Sequence, residues 1–478
     1  MPANLTFDAL KAAVTSGEID TVIVCLVDMQ GRMQGKRFQA AHFVENAEET
    51  HCCNYLLATD MEMATVQGYK ATSWEQGYGD YVMKPDLSTL RRLAWLEGTA
   101  MVMCDVLDHH THNPVPHAPR SILKAQIDRA RAMGFEPMMA TELEFYLFEE
   151  SFPELFDAGY PDPTPIARYN VDYGLFGTAR DEPIMRAIRN DLYASGIPIE
   201  CSKGEADAGQ EEVNAKYSDA MDTADMHCII KHGTKEIAQA HGASVTFMAK
   251  YDHRRAGSSS HVHQSLWKDG ANAFYDAAAD HGMSGVMKHF LGGQLAFARE
   301  ITAFLAPNIN SYKRFCVGMF APTKAVWSRD NRTAGFRICG ENTKSVRVEC
   351  RIGGADLNPY LACAALLAAG LEGIEQMADA GAEFTGDLYA QAEAASVPTT
   401  LEEAAEALKD SEMLNRAFGA DVVEHYYRAA RWEIEQSRSV VTDWERHRGF
   451  ERACNQCLLF AGARHLTIAP NPAQGWIL

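Results

Sequence analysis

The chain has 478 residues, of which 47% are hydrophobic and 23% are charged, values typical of a globular protein rather than a disordered or fibrous one. Its formal net charge of −20 disfavours nucleic acid and an anionic membrane surface as partners. The start of the chain lacks a basic and then apolar leader pattern, and no apolar run is long enough to cross a bilayer, so we expect a cytoplasmic protein. A chain of this length usually exceeds one hydrophobic core, so we also expect two domains.

The amino-terminal part predicts a small, strand-rich domain. Residues 20–38 indicate two strands joined by a turn that contains glycine, and the short apolar runs that follow are broken by Gly, Pro and Asp. We place this domain at residues 1–110 and a second, larger domain at residues 111–478. The His- and Pro-rich segment 109–120 between them has irregular spacing, which favours a connector over a metal site.

The 12 cysteines have no regular spacing, which favours reduced thiols in a reducing compartment. Cys454 and Cys457 are the one pair with the spacing of a metal or redox site. No second pair accompanies them and the surrounding stretch is apolar, so we expect buried thiols on a helix there.

The larger domain is predicted to be α+β, with a sheet flanked by helices. A helical pattern runs over residues 121–134 and closes at a glycine. The last third of the chain is predicted to be helical at residues 358–377, 401–409 and 420–445. Neither G-x-G-x-x-G nor a Walker A loop follows a strand, and polar strand residues alternate, so a doubly wound parallel sheet is disfavoured.

Ionisable residues recur at a spacing of two in three predicted strands. Glu142 and Glu144 lie in an otherwise apolar run, so both carboxylates face one side while Leu143 and Phe145 face the other. The same spacing occurs in two further segments, at His261 and His263 and at Arg347, Glu349 and Arg351. Two like charges on one buried face are costly unless cations compensate them, which favours a divalent metal.

A further pair of carboxylates, Glu205 and Glu212, brackets a turn-like segment. Each element alone is more often an exposed strand face or a surface histidine, but four in one domain favour a site. Oxygen ligands with a single imidazole suit Mg²⁺ or Mn²⁺ rather than zinc. The nearby arginines are Arg314, Arg329, Arg332 and Arg337. Because arginines neutralise phosphate oxygens, the set indicates phosphoryl transfer from ATP on a scaffold without a glycine-rich loop.

With these residues in order, the sequence resembles the glutamine synthetase family and its γ-glutamyl-amine ligase branch. The motifs that carry the resemblance are VDMQGRMQGK, TELEFYLF, GEADAGQEE, GSSSHVHQSL, NSYKRF, DNRTAGFRI, VECRIGGADLNPYLA and VTDWERHR. The resemblance implies a small β-grasp-like domain and a large catalytic domain with a curved antiparallel sheet. It also implies homo-oligomeric rings, commonly dodecamers of two stacked hexamers, in which the small domain of one subunit completes the active site of its neighbour.

The resemblance further implies roles for individual residues. One metal site would be Glu144, Glu205 and Glu212, and the other Glu142, His261 and Glu349, with two to three Mg²⁺ or Mn²⁺ ions per site. The nucleotide would be bound by His263, Ser265, Arg332 and Arg337, and the other substrates by Gly257, Arg314, Arg351 and Phe320. The catalytic set would be Glu205, Arg314, Arg332, Arg337 and Asp60, the last being the aspartate that a neighbouring subunit supplies to help deprotonate the amine.

The implied reaction uses ATP as a co-substrate and has two steps. The γ-carboxylate of glutamate attacks the γ-phosphorus of ATP, which gives γ-glutamyl phosphate and ADP. An amine then displaces phosphate to form the γ-glutamyl amide.

Two departures from the family pattern concern the amine. Phe320 stands where ammonia-using members carry a glutamate that helps deprotonate ammonium, and Ala256 replaces an asparagine. An aromatic ring accepts no proton but packs against an alkyl group or a cationic amine, so we expect a small organic amine such as methylamine, a longer monoamine or a polyamine. Three alternatives stay open: a glutamine synthetase that uses ammonia, a catalytically silent ring-forming member, and a phosphotransferase that forms no amide.

Overall fold

The computed structural model describes residues 4–47, 50–316, 318–390 and 393–452. The predicted cysteine pair Cys454 and Cys457 lies outside these residues. The chain forms two compact units, Met1–Ile434 and Glu435–Leu478, and the site described below belongs to the first. Within the described ranges, no helix combines the length and the apolar character that a membrane crossing requires.

The described strands and helices have the following bounds. The strands are β1 (Thr21–Val27), β2 (Met33–Gln39), β3 (His51–Cys53), β4 (Asp80–Pro85), β5 (Arg91–Arg92), β6 (Thr99–Asp108), β7 (Glu136–Phe148), β8 (Ile199–Gly204), β9 (Gln210–Ala215), β10 (Ser218–Asp219), β11 (Ser244–Thr246), β12 (Val262–Lys268), β13 (Ala271–Asn272), β14 (Trp327–Arg329), β15 (Phe336–Cys339) and β16 (Arg347–Cys350). The helices are α1 (Phe7–Thr15), α2 (Ala40–Glu45), α3 (Pro119–Ala132), α4 (Phe152–Ala158), α5 (Glu182–Ala194), α6 (Ala220–Ala240), α7 (Gly285–Ala296), α8 (Ala298–Leu305), α9 (Pro359–Glu375), α10 (Leu401–Lys409), α11 (Glu412–Phe418), α12 (Ala420–Ser439) and α13 (Asp443–Gly449).

The amino-terminal sheet has the strand order β2-β1-β6-β4-β3, and β5 pairs with β6. β1 runs parallel to β6 and antiparallel to β2. Side chains of β1 are buried on both faces because alternate residues enter two different cores. Val22, Val24 and Leu26 pack in the cluster that includes Leu10 of α1 and Phe43 of α2, whereas Ile23, Cys25 and Val27 join the main core.

The second sheet has the order β14-β15-β16-β12-β7-β9-β8, with β10 and β11 on β7 and β13 on β12. Its pairs are antiparallel except β14 with β15, which is parallel. The helix α9 is buried along nearly its whole length and packs against α3, α7 and α8. Small residues allow this close packing: a Cβ on Gly293 of α7 would lie 2.2 Å from the Ala369 carbonyl oxygen of α9. The predicted α+β class with a mainly antiparallel sheet is confirmed.

Of the four predicted helices, three match observed helices closely and the one predicted over residues 420–445 does not. α3 and α9 occupy the predicted segments, and α10 has the predicted bounds. The single helix predicted over residues 420–445 is wrong, because α12 ends at Ser439 and α13 begins at Asp443. Thr442 forms a capping box with Glu445, and this start signal within the predicted helix went unrecognised.

The segment 109–118 connects β6 to α3, where the predicted domain boundary falls; that boundary stays a prediction. His117 of this segment is buried. Its ring lies 4.3 Å, centroid to centroid, from the ring of His425 in α12, and its Nε2 lies 3.2 Å from the Tyr81 hydroxyl of β4. Burial lowers the pKa of His117 to about 4, so the imidazole is a neutral packing element at neutral pH.

Candidate active site

The candidate site lies on the polar face of the second sheet, where β7, β9, β12 and β16 meet. Leu143 and Phe145 of β7 are buried in the main core, so Glu142 and Glu144 project from the opposite face, as the spacing of two predicts. The strand register places Glu144 directly opposite Glu212 of β9 and His263 of β12 opposite Glu349 of β16. Antiparallel pairing therefore gathers side chains that are far apart in sequence.

The first group consists of Glu142, His261 and Glu349, whose ligand atoms all lie within 4.8 Å of one another. His261 Nδ1 lies 2.6 Å from Glu142 Oε2 and 3.7 Å from Glu349 Oε1. His263 Nε2 is 2.8 Å from the other oxygen of Glu142. Glu349 is fully buried, and its carboxylate also receives hydrogen bonds from Arg337 and Arg351.

The protonation states in this group suit metal binding. Burial and the nearby charge of Arg351 lower the pKa of His261 to about 4, which keeps the imidazole neutral. Burial alone would raise the pKa of Glu142, but hydrogen bonds from His261 and His263 outweigh it and hold the pKa well below its usual range. Burial also opposes ionisation of Glu349, yet the adjacent His261, followed by Arg351, lowers its pKa to about 2. Two carboxylates and a neutral imidazole are thus available as ligands.

The second group consists of Glu144, Glu205 and Glu212, again with ligand atoms within 4.8 Å of one another. Glu144 Oε2 accepts from the Ser259 amide at 2.7 Å and from Gln210 at 3.3 Å. Glu212 accepts from Asn214 at 2.8 Å, and Glu205 pairs with Lys203 at 2.5 Å. These three carboxylates have one ion-pair partner among the described residues.

This shortage of positive charge appears in the pKa values of the second group. Burial, followed by the charge of Glu205, raises the pKa of Glu144 to about 7. Burial, followed by the charges of Glu142 and Glu144, raises the pKa of Glu212 to about 9. Like charges held this close stay ionised only if a cation joins them. The six donors, five carboxylates and one imidazole, therefore fit divalent ions that prefer oxygen, such as Mg²⁺ or Mn²⁺.

Arginines border both groups. Arg337 of β15 bridges Glu349, at 2.9 Å, and Asp330, and Arg351 donates to the Arg332 carbonyl at 3.2 Å. Arg314 has only 1% of its surface exposed, and its hydrogen bonds go to the Ser259 hydroxyl and to two carbonyl oxygens. No ion pair of Arg314 is found among the described residues. Its buried charge is therefore available to an anionic group.

Gly257 makes the position of Arg314 possible. A Cβ at this residue would lie 2.6 Å from the Arg314 Cγ and 2.8 Å from the Ala249 carbonyl oxygen. Its own carbonyl accepts from Gln210 at 3.0 Å, which ties the segment to β9. The small size of Gly257 thus lets the guanidinium stem lie against the backbone.

Two concave surfaces adjoin the groups. A cavity of about 710 Å³ is lined by Glu142, Tyr217, His263, Ser265, Trp267 and Arg347, and its aromatic and cationic walls suit a nucleotide. An open cleft of about 490 Å³ is lined by Phe320 and Arg332, among others. Phe320 is 55% exposed and has a positive φ of 49°, which an aromatic residue rarely adopts.

Asp60 is not brought to these groups within the chain. Its carboxylate accepts from the amides of Glu62 and Ala64 and from Trp432 Nε1, at 3.1 Å. Each of the other predicted site residues belongs to or lies next to one of three features. These are the two donor groups, the side chain of Arg314 and the two concave surfaces. Sequence reasoning missed the contacts of Gln210 and Ser259 with Glu144. The period of two in β9 could have indicated Gln210, since it shares a face with Glu212.

The chain belongs to the glutamine synthetase family, because residues 116–449 match the model described as the glutamine synthetase catalytic domain. It is 48% identical over 451 residues to γ-glutamylethanolamide synthetase GlnA4 of Streptomyces coelicolor, covering 94% of this chain and 96% of that one. It is 38% identical over 432 residues to the glutamate–isopropylamine ligase of a Pseudomonas species, covering 89% and 94%.

Solved structures agree with these relatives. The structure of GmaS without ligand superimposes with a TM-score of 0.81 at 28% identity, covering 92% of this chain and 99% of that chain. A complex of GmaS with ADP gives a TM-score of 0.80 at 27% identity. The predicted class, a carbon–nitrogen ligase of this family, and the resemblance to its γ-glutamyl-amine branch are confirmed. The family uses ATP and a divalent metal.

Proposed function

We propose that this chain joins the γ-carboxylate of glutamate to a small organic amine, with ATP converted to ADP and phosphate. The observation that carries the proposal is the pairing of two largely buried metal-ligand groups with a cleft that is lined by both Phe320 and Arg332. The metal-ligand groups supply the divalent ions that phosphoryl transfer from ATP needs. The cleft with Phe320 concerns the choice of the amine that acts as the nucleophile.

The two donor groups are proposed as the metal sites, with Glu144, Glu205 and Glu212 holding one ion and Glu142, His261 and Glu349 the other. We propose Mg²⁺ or Mn²⁺, two to three ions per site. Such ions supply positive charge to the phosphate oxygens of ATP and to the group in transfer. His263, Ser265 and the 710 Å³ cavity beside Glu142 are proposed to bind the nucleotide.

The arginines are proposed to act on the carboxylate and the phosphoryl group. Arg314, whose buried charge has no ion-pair partner among the described residues, and Arg351 hold the glutamate carboxylate while it attacks the γ-phosphorus. Gly257, which has no side chain, leaves the space that the Arg314 side chain occupies. Arg332 and Arg337 neutralise charge that spreads over the phosphoryl oxygens, a role for which the planar guanidinium is suited.

The second step is attack by a neutral amine on γ-glutamyl phosphate, in which the C–N bond forms and the bond to phosphate breaks. A carboxylate must accept the proton that the amine loses. We propose Asp60 of a neighbouring subunit for this role, while Glu205 contributes to catalysis as a metal ligand. Phe320 would pack against the alkyl part of the amine, and the relatives named for ethanolamine and isopropylamine support an organic amine over ammonia.

A panel of amines tests the proposal. Purified enzyme with ATP, Mg²⁺ and glutamate is assayed for phosphate release and for amide mass with ammonia, methylamine, ethanolamine, isopropylamine and putrescine. The proposal expects the highest kcat/KM for an organic amine and no phosphate release without glutamate. If ammonia were the best substrate, the role of Phe320 would be wrong. If ATP were converted to ADP and a phosphorylated acceptor without any amide, the enzyme would be a phosphotransferase.

We also propose a cytoplasmic, dodecameric ring with a small domain at residues 1–110 and a catalytic domain at residues 111–478. Two observations support assembly. Asp60 lies apart from the donor groups of its own chain, and Leu175 and Phe176 are each 89% exposed, which is unusual for adjacent large apolar side chains outside an interface. Light scattering coupled to size exclusion measures the assembly size, and a monomer would contradict the ring.

A further inference from the structure

A cavity apart from the two donor groups is lined by residues of the segment 59–69 and of the helices α8, α9 and α12, among others. Its volume is about 70 Å³, several times the roughly 10–15 Å³ that one water molecule requires. All of its described lining residues belong to the unit Met1–Ile434. Among them, Asp60 is the one predicted site residue, and none lines the two concave surfaces beside the donor groups. The cavity is therefore separate from the proposed ligase site of this chain.

The lining of the cavity is acidic. It includes the carboxylates of Asp60, Asp356 and Glu433, and none of the described lining residues is Lys, Arg or His. Asp356 accepts from Asn308 at 2.9 Å and from Ser311 at 2.6 Å through Oδ2, whereas its buried Oδ1 has no hydrogen-bond partner among the described residues. Burial, followed by the charge of Asp60, raises the pKa of Glu433. A cation in the cavity would offset this repulsion.

Two buried hydroxyl groups also line the cavity. Thr59 is 1% exposed and Tyr69 is 5% exposed. Within the described part of the chain, neither the Thr59 Oγ1 nor the Tyr69 hydroxyl has a hydrogen-bond partner. The Tyr69 ring is held against that of His425, at 4.2 Å between centroids. Because a buried polar group without a partner is costly, both hydroxyls favour a ligand that can hydrogen-bond to them.

Two arginines lie near the cavity without lining it. Arg32 pairs with Asp28 at 2.7 Å. Arg428 donates to the Gln67 carbonyl at 2.8 Å, and its guanidinium carbon lies 5.8 Å from the centroid of the Trp432 ring. The described lining of the cavity itself thus has three carboxylates and no cationic side chain.

The remaining walls are rich in aromatic rings. Phe304 of α8 and Tyr426 of α12 meet edge to face, with centroids 5.5 Å apart. Trp432 donates from Nε1 to Asp60 Oδ2 at 3.1 Å, which places an indole beside a carboxylate. Aromatic faces together with carboxylates attract organic ammonium ions, whereas metal ions such as Mg²⁺ and Ca²⁺ prefer oxygen ligands alone. The composition of the walls therefore favours an organic cation.

We propose that this cavity is a second amine site, which binds a small organic ammonium ion such as methylammonium. Its N–H groups donate to the carboxylates of Asp356 and Glu433 and to the hydroxyl oxygen of Tyr69, while its alkyl group packs against the aromatic walls. Alkylamines, like the lysine side chain, are protonated at neutral pH. The site goes beyond the proposed ligase reaction, because binding here requires neither ATP nor glutamate.

Saturation-transfer NMR on the methyl signal of methylammonium tests the site on the full-length protein, in buffer without ATP and glutamate. Tyr69→Phe and Glu433→Gln each remove one proposed contact with little change of shape. Tyr427→Phe and Glu424→Gln make the same chemical changes on α12 outside the cavity and serve as matched controls. Methanol, a neutral molecule with the same number of heavy atoms, and K⁺ are compared as probes.

Methylammonium should bind saturably to the wild type, and methanol should not. The dissociation constant should rise at least roughly tenfold in Tyr69→Phe and in Glu433→Gln, because each loses a hydrogen bond to a charged group, and it should be unchanged in both controls. Circular dichroism checks the fold. Since the Tyr69 hydroxyl has no hydrogen-bond partner among the described residues, its removal should leave the fold intact.

A dissociation constant that is unchanged in both cavity variants would place the amine elsewhere and overturn the inference. Equal binding of methanol would indicate a hydrated polar cavity, and displacement by K⁺ at equal concentration would indicate a site for inorganic cations; either result would also overturn it. Amide synthesis by a protein that binds no methylammonium in this assay would exclude the second site and leave the proposed function intact. Binding that depends on Tyr69 and Glu433 in a protein that makes no amide would support the site and count against the proposed function.

Discussion

Individual carboxylates of the second donor group oppose folding when no metal is bound. Glu212 is buried, and its pKa is raised to about 9 by burial and by Glu142 and Glu144. The pKa of this acid is higher in the folded state than in the unfolded state, where it is near 4.5. Its contribution to stability is therefore complete below pH 4.5 and is lost as the pH rises through about 9. The metal-free enzyme should therefore lose stability as pH rises over this window.

We predict that Glu212→Gln stabilises the metal-free protein while it abolishes catalysis. Removing the buried ionisable group, which folding forces to stay protonated at pH 7, should raise the free energy of unfolding on the order of 1–3 kcal/mol at pH 7 and flatten its decline toward pH 9. Amide synthesis should fall at least roughly 100-fold, since a proposed metal ligand is lost. Thermal denaturation with and without Mg²⁺ measures the first effect. Glu136→Gln, on the exposed start of β7, is the control; equal behaviour of both variants would contradict the assignment.

Phe320 provides a second test at the residue scale. Phe320→Glu should shift preference from an organic amine toward ammonia, because a carboxylate can accept a proton and a ring cannot. The ratio of kcat/KM values for organic amine and ammonia should drop roughly 10- to 200-fold, the range that hydrophobic contacts discriminate. Met319→Gln, the exposed neighbour on the same loop, should leave the ratio unchanged. An unaltered ratio in Phe320→Glu would remove the ring from specificity.

At the scale of the element, residues 257–261 immediately before β12 contact both the second donor group and Arg314. Ser259 donates to Glu144 through its amide and accepts from Arg314 at its hydroxyl. Gly257→Ala should displace the guanidinium, because the new Cβ would meet Arg314 and the backbone of Ala249 at less than 3 Å. We expect a loss of about 1–3 kcal/mol of stability and a higher KM for glutamate. Gly285→Ala at the start of α7, where nothing lies within 4 Å of the added carbon, should be neutral or slightly stabilising. Chemical denaturation and steady-state kinetics measure both.

The buried imidazoles that join β4, the connector and α12 predict acid sensitivity. His117 has a pKa lowered to about 4 by burial, and burial also holds that of His425 well below its usual range. A histidine with a depressed folded pKa stabilises the fold above its unfolded pKa, near 6.5, and this contribution shrinks as pH falls toward 4.

The wild-type protein should lose stability when the pH falls from 7 to 5. We expect this loss to be smaller in His117→Phe, by on the order of 2 kcal/mol. Denaturation midpoints at the two pH values test this, and His110→Gln in the exposed part of the connector is the control. A pH dependence that is unchanged in His117→Phe would show that the imidazole is not the acid-sensitive group.

At the scale of the whole molecule, the proposed ring with shared sites can be tested by mixing two inactive variants. Asp60→Asn and Glu212→Gln each inactivate a different part of the site. If Asp60 acts on a neighbouring subunit, rings reassembled from equal amounts of both should recover about a quarter of wild-type activity, since that fraction of random neighbour pairs has both intact residues. If Asp60 acted within its own chain, or not at all on the amine, the mixture would stay inactive or Asp60→Asn alone would stay active.

Much of the site could be predicted from the sequence because its signals are local. The spacing of two in β7 and β16 placed Glu142, Glu144 and Glu349 on polar strand faces, and the apolar residues between them are buried. Helices with clear caps, such as α9 after Asn358, were also predictable. The break between α12 and α13 was missed because the apolar pattern continued across it, while the capping box at Thr442 determined where the chain leaves the helix.

The sequence by itself determined the family, the α+β class and the residue types of the metal groups, because ordered motifs and strand periodicity are properties of the chain alone. Only the tertiary structure decided which donors meet. The register of β7, β9, β12, β15 and β16 sets Glu144 opposite Glu212 and brings Cys339 to Glu349. Such pairings depend on hydrogen bonds between strands distant in sequence, and no local pattern specifies them.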